Sequence, residues 1–342
     1  MDDEAQARHR PPTLDDVAAL AGVGRGTVSR AINGAPNVSE HSRASIMAAV
    51  EALGYVPNKA ARSLVTRRTD SVTLVISESE ERFFSEPFFA DVVRAISGAL
   101  AESSRPLLLA MAQTAEQHRT LEHYLLSQHV DGVMLLSLHG RDPLPERLEE
   151  RGLPTVLGGR PPHGVPVSYV DVDNVGGALE AVRHLLDRGR RRVACIEGPS
   201  DMSVSADRLA GYRTALSEHD VPADDALVET GDFTEEGGRA AMRALLDRVP
   251  DLDAVFASSD LMAAGALSEL HSQGRKVPAD VAVVGFDDAP VARHTRPALT
   301  TVHQPIEAMG RAMVDLLLAR IEGRQTEAHV VLAPHLVVRE SS

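Results

Sequence analysis

The chain has 342 residues, of which 43% are apolar and 25% charged, with one cysteine and no tryptophan. This length predicts two or three domains, and the composition is that of a folded protein rather than a disordered one. A disulfide framework is excluded because Cys195 has no second cysteine to pair with. No apolar run approaches the roughly 20 residues of a membrane-spanning helix. The acidic start Met1-Asp2-Asp3-Glu4 argues against a secretory signal, so we expect a cytoplasmic protein.

Charge is distributed unevenly along the chain. The formal net charge is −14, yet residues 8–69 carry nine Lys and Arg against four acids, which leaves +5 there and −19 elsewhere. This asymmetry indicates a small basic N-terminal segment on a large acidic body. A basic segment of this kind suits an anionic partner.

Three short helices are predicted in the basic segment. The first begins with a capping box formed by Thr13 and Asp16. A glycine turn at 22–24 separates it from a second helix over 25–33, and a third follows over 39–54 between an N-cap serine and a terminal glycine. This arrangement matches a helix-turn-helix, whose second helix enters the major groove of DNA. A small helical cap with solvated arginines is the alternative.

A very short helix is predicted after the third one. Asn58 can cap a helix over 59–65, which ends at the basic pair Arg67-Arg68. A helix of about seven residues is unstable alone in water, because nucleation is costly. We therefore expect this segment to fold only when a partner holds it.

A series of short motifs follows one another in fixed order along these helices. They are Thr13-Leu14-Asp15-Asp16-Val17-Ala18, Gly22-Val23, Thr27-Val28-Ser29-Arg30, Asn33, Val38-Ser39, Gly54-Tyr55-Val56-Pro57-Asn58 and Ala61-Arg62-Ser63-Leu64. In these motifs the sequence resembles the LacI/GalR family of bacterial transcription regulators. The family head binds double-stranded DNA as a dimer, and many matched positions make the resemblance more specific than a generic helix-turn-helix.

The resemblance implies roles for individual residues of the head and hinge. Base-reading positions fall on Arg25, Gly26 and Arg30. Positions that contact phosphates or support the fold are Thr27, Ser29 and Asn33. The other DNA-contacting positions are Thr13, Asn58, Ala61 and Arg62. Leu64 is the wedge that a dimer inserts into the minor groove. Gly24 and Gly26 depart from the family pattern, so the base preference beside Arg25 stays open.

From Ser71 onward, short apolar runs alternate with amphipathic helices, which is typical of parallel α/β domains. The runs are 72–76, 107–111, 133–136, 155–157, 193–196, 227–229, 254–257 and 281–285. Two sets of four indicate two similar lobes.

The resemblance to the family extends over this whole body. It implies two Rossmann-like lobes similar to a periplasmic sugar-binding protein, joined by three crossovers near Val170, Val302 and Ala333. The predicted fold is a small all-α helix-turn-helix head plus an α/β body. The predicted boundaries are 1–57 for the head, 58–70 for the hinge helix and linker, 71–342 for the body, 71–169 with 303–332 for its N-lobe, and 170–302 with 333–342 for its C-lobe.

Aromatic residues are scarce, at 3%, and four of the seven Phe lie together after the first predicted strand. Ligands of open α/β sheets bind at strand ends, where aromatic faces suit the apolar faces of a sugar ring. We therefore expect Phe83, Phe84 and Phe88 to contact a ligand. Alternatively, Phe88 and Phe89 belong to the core of the following helix.

Other ligand positions are implied by the resemblance. Arg208 matches the arginine that anchors effectors, and Phe233 lies where the family often stacks an aromatic ring. Asp260 and Asp287 follow strands and can accept hydrogen bonds from paired hydroxyls. Asp260 could instead only cap the helix over 261–270.

Two positions depart from the family pattern around this site. Ser259 stands where Asn is frequent, and Gly158-Gly159-Arg160-Pro161 stands where an acid commonly ends the strand. Arg160 is then the expected polar contact. Since a glycine pair removes side-chain volume, we expect a roomier pocket that favours a disaccharide or oligosaccharide.

Signatures of catalysis are absent from the sequence. It contains no phosphate-binding loop, nucleophile elbow or paired-histidine metal motif. Cys195 lies in an apolar strand, where a buried structural thiol is expected. No cofactor, metal or enzymatic activity is therefore predicted.

Together these features predict a homodimeric repressor of carbohydrate uptake or degradation genes. It would bind a pseudo-palindromic operator and be released by a saccharide bound between the lobes. One alternative is a corepressor-dependent regulator that binds a nucleobase or phosphorylated metabolite. Another is a sugar receptor that does not bind DNA.

Overall fold

The structure is a computed structural model that describes residues 10–32, 34–56, 69–103, 105–161 and 165–342. Close contacts divide the chain into two units, Met1–Thr69 and Asp70–Ser342, and each is described by itself. Within the described residues, no helix is long and apolar enough to cross a membrane.

The first unit contains helices α1 (Leu14–Ala21), α2 (Arg25–Ile32) and α3 (Glu40–Leu53). The predicted capping box is confirmed, because the Thr13 amide donates to Asp16 Oδ2 at 2.7 Å and the Asp16 amide donates back to Thr13 Oγ1. Gly22 ends α1 in a left-handed conformation, φ 64°. The three helices enclose a small core in which Val17, Val28 and Ile46 have no exposed surface.

The body contains two six-stranded sheets, one in each of two lobes. The first sheet has the order β11-β5-β4-β3-β1-β2, and its strands are β1 (Val72–Ile76), β2 (Leu107–Met111), β3 (Gly132–Leu136), β4 (Thr155–Gly158), β5 (Ser168–Val172) and β11 (His329–Leu332). The second has the order β12-β10-β9-β8-β6-β7, and its strands are β6 (Val193–Glu197), β7 (Val228–Thr230), β8 (Ala254–Ala257), β9 (Ala282–Asp287), β10 (Thr300–His303) and β12 (His335–Val337).

All neighbouring strands are parallel except β12, which is antiparallel to β10. The helices of the body are α4 (Glu80–Ser85), α5 (Pro87–Ala101), α6 (Ala115–Tyr124), α7 (Leu144–Glu150), α8 (Asn174–Asp187), α9 (Ser203–Glu218), α10 (Glu235–Arg248), α11 (Asp260–Ser272) and α12 (Ile306–Ile321). The chain passes between the lobes after β5, after β10 and after β11.

Each sheet has two more strands than the apolar runs predict. The missed strands β5, β10, β11 and β12 mix polar and apolar residues, as in Thr300–His303, so they do not stand out as apolar runs. The run that forms β2 was found, but its Leu108 and Leu109 are 37% and 46% exposed. This strand lies at the edge of its sheet, so its outer side is left uncovered.

Close helix packing in the second lobe gives a stability prediction. A Cβ at Gly265 in α11 would lie 1.9 Å from the carbonyl oxygen of Glu235, in α10. Because rigid backbone would have to shift, we expect Gly265→Ala to reduce stability by about 3 kcal/mol. At Gly98 in α5 an added Cβ meets nothing within 4 Å, so Gly98→Ala should increase stability by about 0.5–1 kcal/mol. Urea unfolding of the two variants measures both values, and equal effects would contradict this packing.

Candidate functional site

An inner cavity of about 100 Å³ lies between the two lobes, where strands of both sheets end. An outer cavity of about 880 Å³ adjoins it. The residues that line both cavities are Glu86, Phe88, Phe233, Asp287 and Gln304. A ligand placed here would touch both lobes and would therefore respond to the angle between them.

Arg208 in α9 is the most strongly fixed group of the inner cavity. Its side chain is 5% exposed, and its Nε donates to Asn174 Oδ1 at 3.0 Å. Its Nη1 donates to the Ser258 carbonyl and lies 3.5 Å from Asp287 Oδ1. The guanidinium carbon lies 3.7 Å from the centroid of the Phe286 ring. Burial lowers the pKa of Arg208, yet the group stays a cation because arginine remains protonated in proteins.

Asp287 ends β9 beside this arginine. Its φ of 121° is rare for a residue with a side chain, so the neighbouring contacts must hold it in place. Gln304 Nε2 donates to Asp287 Oδ1 at 2.6 Å. Burial raises the pKa of Asp287, and the charge of Arg208 opposes that rise. The site thus combines a fixed cation, a carboxyl group and an amide, which can together bind several hydroxyl groups.

Aromatic rings form two walls of the cavity. Phe233 is 4% exposed, and a Cβ at Gly198 would lie 2.1 Å from its ring. The guanidinium of Arg82, from the other lobe, lies 4.8 Å from the Phe233 centroid. Phe88 in α5 is the second wall. Flat apolar faces of this kind leave the polar groups to fix the orientation of a ligand.

Of the four clustered phenylalanines, two line the inner cavity and two do not. Phe88 and the fully buried Phe89 line the inner cavity. The structure does not bring Phe83 and Phe84 to the cavities, since neither ring lines either one, and their contact with a ligand stays a prediction. The reason is that residues 80–85 form a helix of their own, α4. Phe84 is 78% exposed there and packs only edge-on against Phe83, at 4.9 Å between centroids.

Asp260 lies apart from both cavities and is not the N-cap of α11. It has no exposed surface and lines neither cavity. The N-cap of α11 is Ser259, whose hydroxyl accepts from the Met262 amide. Asp260 instead accepts from the Ala289 amide at 2.7 Å and from the Thr301 hydroxyl. It therefore holds the loop that follows β9, directly after Asp287.

Arg160 lies beside the inner cavity and pairs with Asp207, in the other lobe. Burial raises the pKa of Asp207, and the charge of Arg160 opposes the rise. The glycines before Arg160 differ in role. A Cβ at Gly158 would lie 2.2 Å from a terminal methyl of Leu136, so the Leu136 side chain packs in the space that this glycine leaves. Gly159, at φ 108°, lines the cavity and leaves it wider at this point.

Several lining residues were missed from the sequence. Asn174 and Gln304 follow β5 and β10, the mixed strands that the apolar runs did not reveal. Arg82 and Glu86 flank the phenylalanines, and Arg82 Nε donates to Glu86 Oε2 at 2.9 Å. Burial raises the pKa of Glu86 to about 7. Their position next to an aromatic cluster that follows a strand was the sequence signal that could have identified these two charged residues as lining residues.

The head presents its candidate DNA contacts on α2. Arg25, Gly26 and Arg30 are exposed, while Thr27 and Ser29 are half-buried. Arg30 Nη2 donates to Thr27 Oγ1 at 3.4 Å. The Thr13 hydroxyl is used in the capping box. The remaining candidates lie outside the described residues: Asn33, Asn58, Ala61, Arg62 and Leu64.

The described residues include no candidate metal cluster and one buried cysteine. No three His, Cys, Asp or Glu side chains there are grouped to hold a metal ion. Cys195 has no exposed surface, and burial raises the pKa of its thiol. The thiol is therefore neutral and enclosed.

Comparisons with known proteins cover both units. Residues 13–58 match the profile of bacterial regulatory proteins of the lacI family, and residues 182–342 match the periplasmic binding protein-like domain. The HTH-type transcriptional regulator CelR of Thermobifida fusca is 55% identical over 338 residues, 98% of this chain and 99% of the relative. The ribose operon repressor of Escherichia coli K12 is 35% identical, over 96% of this chain and 99% of the relative.

Solved structures agree with these relatives. A transcriptional regulator CelR–cellobiose complex is 52% identical with a TM-score of 0.78, over 97% of this chain and 100% of that one. The lac repressor dimer bound to operator and the anti-inducer ONPF is 27% identical with a TM-score of 0.86, over 97% of this chain and 99% of that one. With its helix-turn-helix head and two-lobed body, this chain belongs to the lacI family of bacterial regulatory proteins and is a DNA-binding transcriptional regulator.

Proposed function

We propose that this regulator represses genes for carbohydrate uptake or degradation and that cellobiose, or a closely related disaccharide, releases it from its operator. The carrying observation is the cavity between the lobes, where Arg208, Asp287 and Gln304 form a buried polar array between the rings of Phe88 and Phe233. The 52% identity to a regulator solved with cellobiose supports the choice of sugar.

The mechanism that we propose uses the two lobes as the moving parts. A saccharide that contacts Arg208 in one lobe and Phe88 in the other gains most affinity when the lobes close on it. Closure alters the spacing of the first lobes in a dimer, and through it the hinge segment over 58–70. Because the helix predicted over 59–65 has only about seven residues, it is marginally stable alone, and a small change in the contacts that hold it is enough to unfold it. Leu64, the proposed minor-groove wedge, would then be withdrawn.

We further propose that the regulator is a homodimer that acts in the cytoplasm and has no enzymatic activity. The uncovered edge strand β2, with Leu108 and Leu109, offers apolar surface for a second copy. Tyr124, the last residue of the helix that follows β2, is 42% exposed. The lac repressor bound to operator, a relative in fold and sequence, is a dimer. Two heads are also needed to read two half-sites of a pseudo-palindromic operator.

Calorimetry on the full chain tests the choice of ligand. We expect cellobiose to bind more tightly than glucose, because a disaccharide reaches both aromatic walls. Phe88→Ala should weaken cellobiose binding by about tenfold, or roughly 1.4 kcal/mol. Phe84→Ala is the matched control, since this ring is exposed and lines neither cavity. Tighter binding of monosaccharides, or binding of a purine or phosphorylated metabolite instead, would contradict the proposal.

A further inference from the structure

A set of contacts joins the two lobes beside the inner cavity. His139 follows β3 in the first lobe, and its Nε2 lies 2.9 Å from Glu78 Oε1 of the same lobe. Its Nδ1 lies 3.0 Å from Asp201 Oδ2, in the second lobe. The next amide, that of Gly140, donates to the carbonyl oxygen of Asp201 at 2.9 Å. One short loop is thus tied to the other lobe twice, through a single residue.

The two carboxyl groups require a particular state of the imidazole ring. A neutral ring carries one N–H and can donate to one of them, whereas a protonated ring donates to both. The hydrogen bond with Glu78 raises the pKa of His139, and Asp201 adds to the rise while burial opposes it. Burial raises the pKa of Glu78, but the contacts with His139 and Arg82 lower it by more, so the pKa lies below its ordinary value. The geometry and the charges therefore both favour the protonated ring.

Other charged groups surround this ring. Those after β1 are Glu78 and Arg82, which pair with each other. A third cavity, of about 680 Å³, also has His139 in its lining. Its other charged or titratable lining residues are Glu78, His118, Arg119, Glu122, Arg141, Asp142 and Arg147. His118 Nδ1 lies 3.8 Å from Asp142 Oδ2, and its Nε2 lies 2.9 Å from the Ala112 carbonyl oxygen, so His118 contacts its own lobe. Asp201 is the group that faces His139 from the second lobe.

These contacts adjoin the ligand cavity directly. Ser137, two residues before His139, lines the inner cavity and donates its hydroxyl to Glu78. Met202, the neighbour of Asp201, lines the same cavity from the second lobe. Parting the lobes far enough to admit a ligand separates His139 from Asp201, and closure restores the contact.

We infer that His139 is a positioning residue for the effector site, whose protonated ring bridges Glu78 and Asp201 and so holds the lobes closed around a saccharide. This inference rests on the proposed function for the identity of the ligand. When the lobes part, the ring loses Asp201, so its pKa is lower in the open form than in the closed form. Protons therefore bind the closed form more tightly, and the closing contribution is lost as pH rises through the closed-form pKa.

Calorimetry of cellobiose binding to the full chain at several pH values tests the bridge. We expect the Kd to rise about three- to tenfold between about pH 6 and about pH 8.5. His139→Gln, which cannot be protonated, should remove the part of this dependence that the ring supplies and weaken binding at low pH. Asp201→Asn should do the same from the other lobe. The part that remains is that of Glu86, which lines the cavity and has a pKa of about 7. His118→Gln is the matched control, because it removes an imidazole ring that contacts its own lobe, and should keep the wild-type pH profile.

An equal pH dependence in wild type and His139→Gln, or none in wild type, would overturn the inference. If cellobiose binds at no pH, the proposed function fails, and the bridge is then decided without ligand. The measurement is hydrogen exchange of the segment that contains the Gly140 amide, corrected for the intrinsic effect of pH. Greater protection at low pH in wild type and its loss in His139→Gln support the bridge. Identical protection in the two proteins refutes it.

Discussion

Arg208→Met is expected to abolish the response to effector while leaving operator binding intact. The side chain is 5% exposed. Its guanidinium donates hydrogen bonds to Asn174 and to the Ser258 carbonyl, and it lies 3.5 Å from a carboxylate oxygen of Asp287. Methionine fills a similar length but donates no hydrogen bond, so a bound saccharide loses its charged donor. Asp287 also loses its cation while remaining buried. Removing one partner of such a pair costs about 2–5 kcal/mol, so we expect effector affinity to fall by roughly 30-fold or more.

Calorimetry with cellobiose measures this loss, and thermal unfolding checks that the variant is folded. Arg213→Met is the matched control. It removes an arginine from the same helix, but this side chain is 49% exposed and pairs with the exposed Asp225. Arg208→Lys adds a second comparison, because it keeps the charge and loses the planar fork of donors. Unchanged cellobiose affinity in a folded Arg208→Met protein would remove the arginine from the site.

The second large effect is expected in the head. Arg25 begins α2, and its side chain is 68% exposed, with Asp15 3.5 Å away as an exposed partner. Since it supports no core contact, Arg25→Ala should leave the head folded. Loss of one base-reading arginine costs about 1–3 kcal/mol, so operator affinity should fall by roughly 5- to 150-fold. Cellobiose affinity should not change.

Fluorescence anisotropy on operator and on random duplexes, at one fixed salt concentration, measures this effect. Arg324→Ala is the control for net charge, because it removes one arginine from the surface of the body, where the side chain is 60% exposed. A base-reading role predicts a larger loss on the operator than on random DNA. An equal loss on both duplexes would assign Arg25 to the phosphate backbone instead.

Local signals explain what the sequence revealed of the fold. The capping box at Thr13 and the terminal glycines Gly22 and Gly54 act within one helical turn, so short-range chemistry is enough to locate them. Central strands such as Val72–Ile76 are buried on both faces and therefore read as continuous apolar runs. The strand Thr300–His303 is also largely buried, but its threonine hydroxyls form hydrogen bonds with Asp260 and with the Arg339 amide, so it does not read as an apolar run.

The site was harder to predict, because its members meet only in the folded chain. Arg208 and Asp287 could be placed from the family resemblance, and both line the inner cavity. Asp260 could not be judged in the same way, since its carboxyl group accepts from the distant Thr301. Phe83 and Phe84 share a motif with Phe88, but a turn of helix directs them elsewhere. The bridge at His139 depends on Asp201, which is far along the chain and in the other lobe.

The central claim is that a saccharide in the cleft controls DNA binding by the head. The most direct measurement is fluorescence anisotropy of the full chain on duplexes tiled from the DNA upstream of its own gene and adjacent genes, at fixed salt, with and without cellobiose. The account predicts that one pseudo-palindromic duplex binds tightly and is released by cellobiose but not by glucose at the same concentration. A specific duplex that cellobiose leaves bound, or that a purine or phosphorylated metabolite binds more tightly, would contradict it.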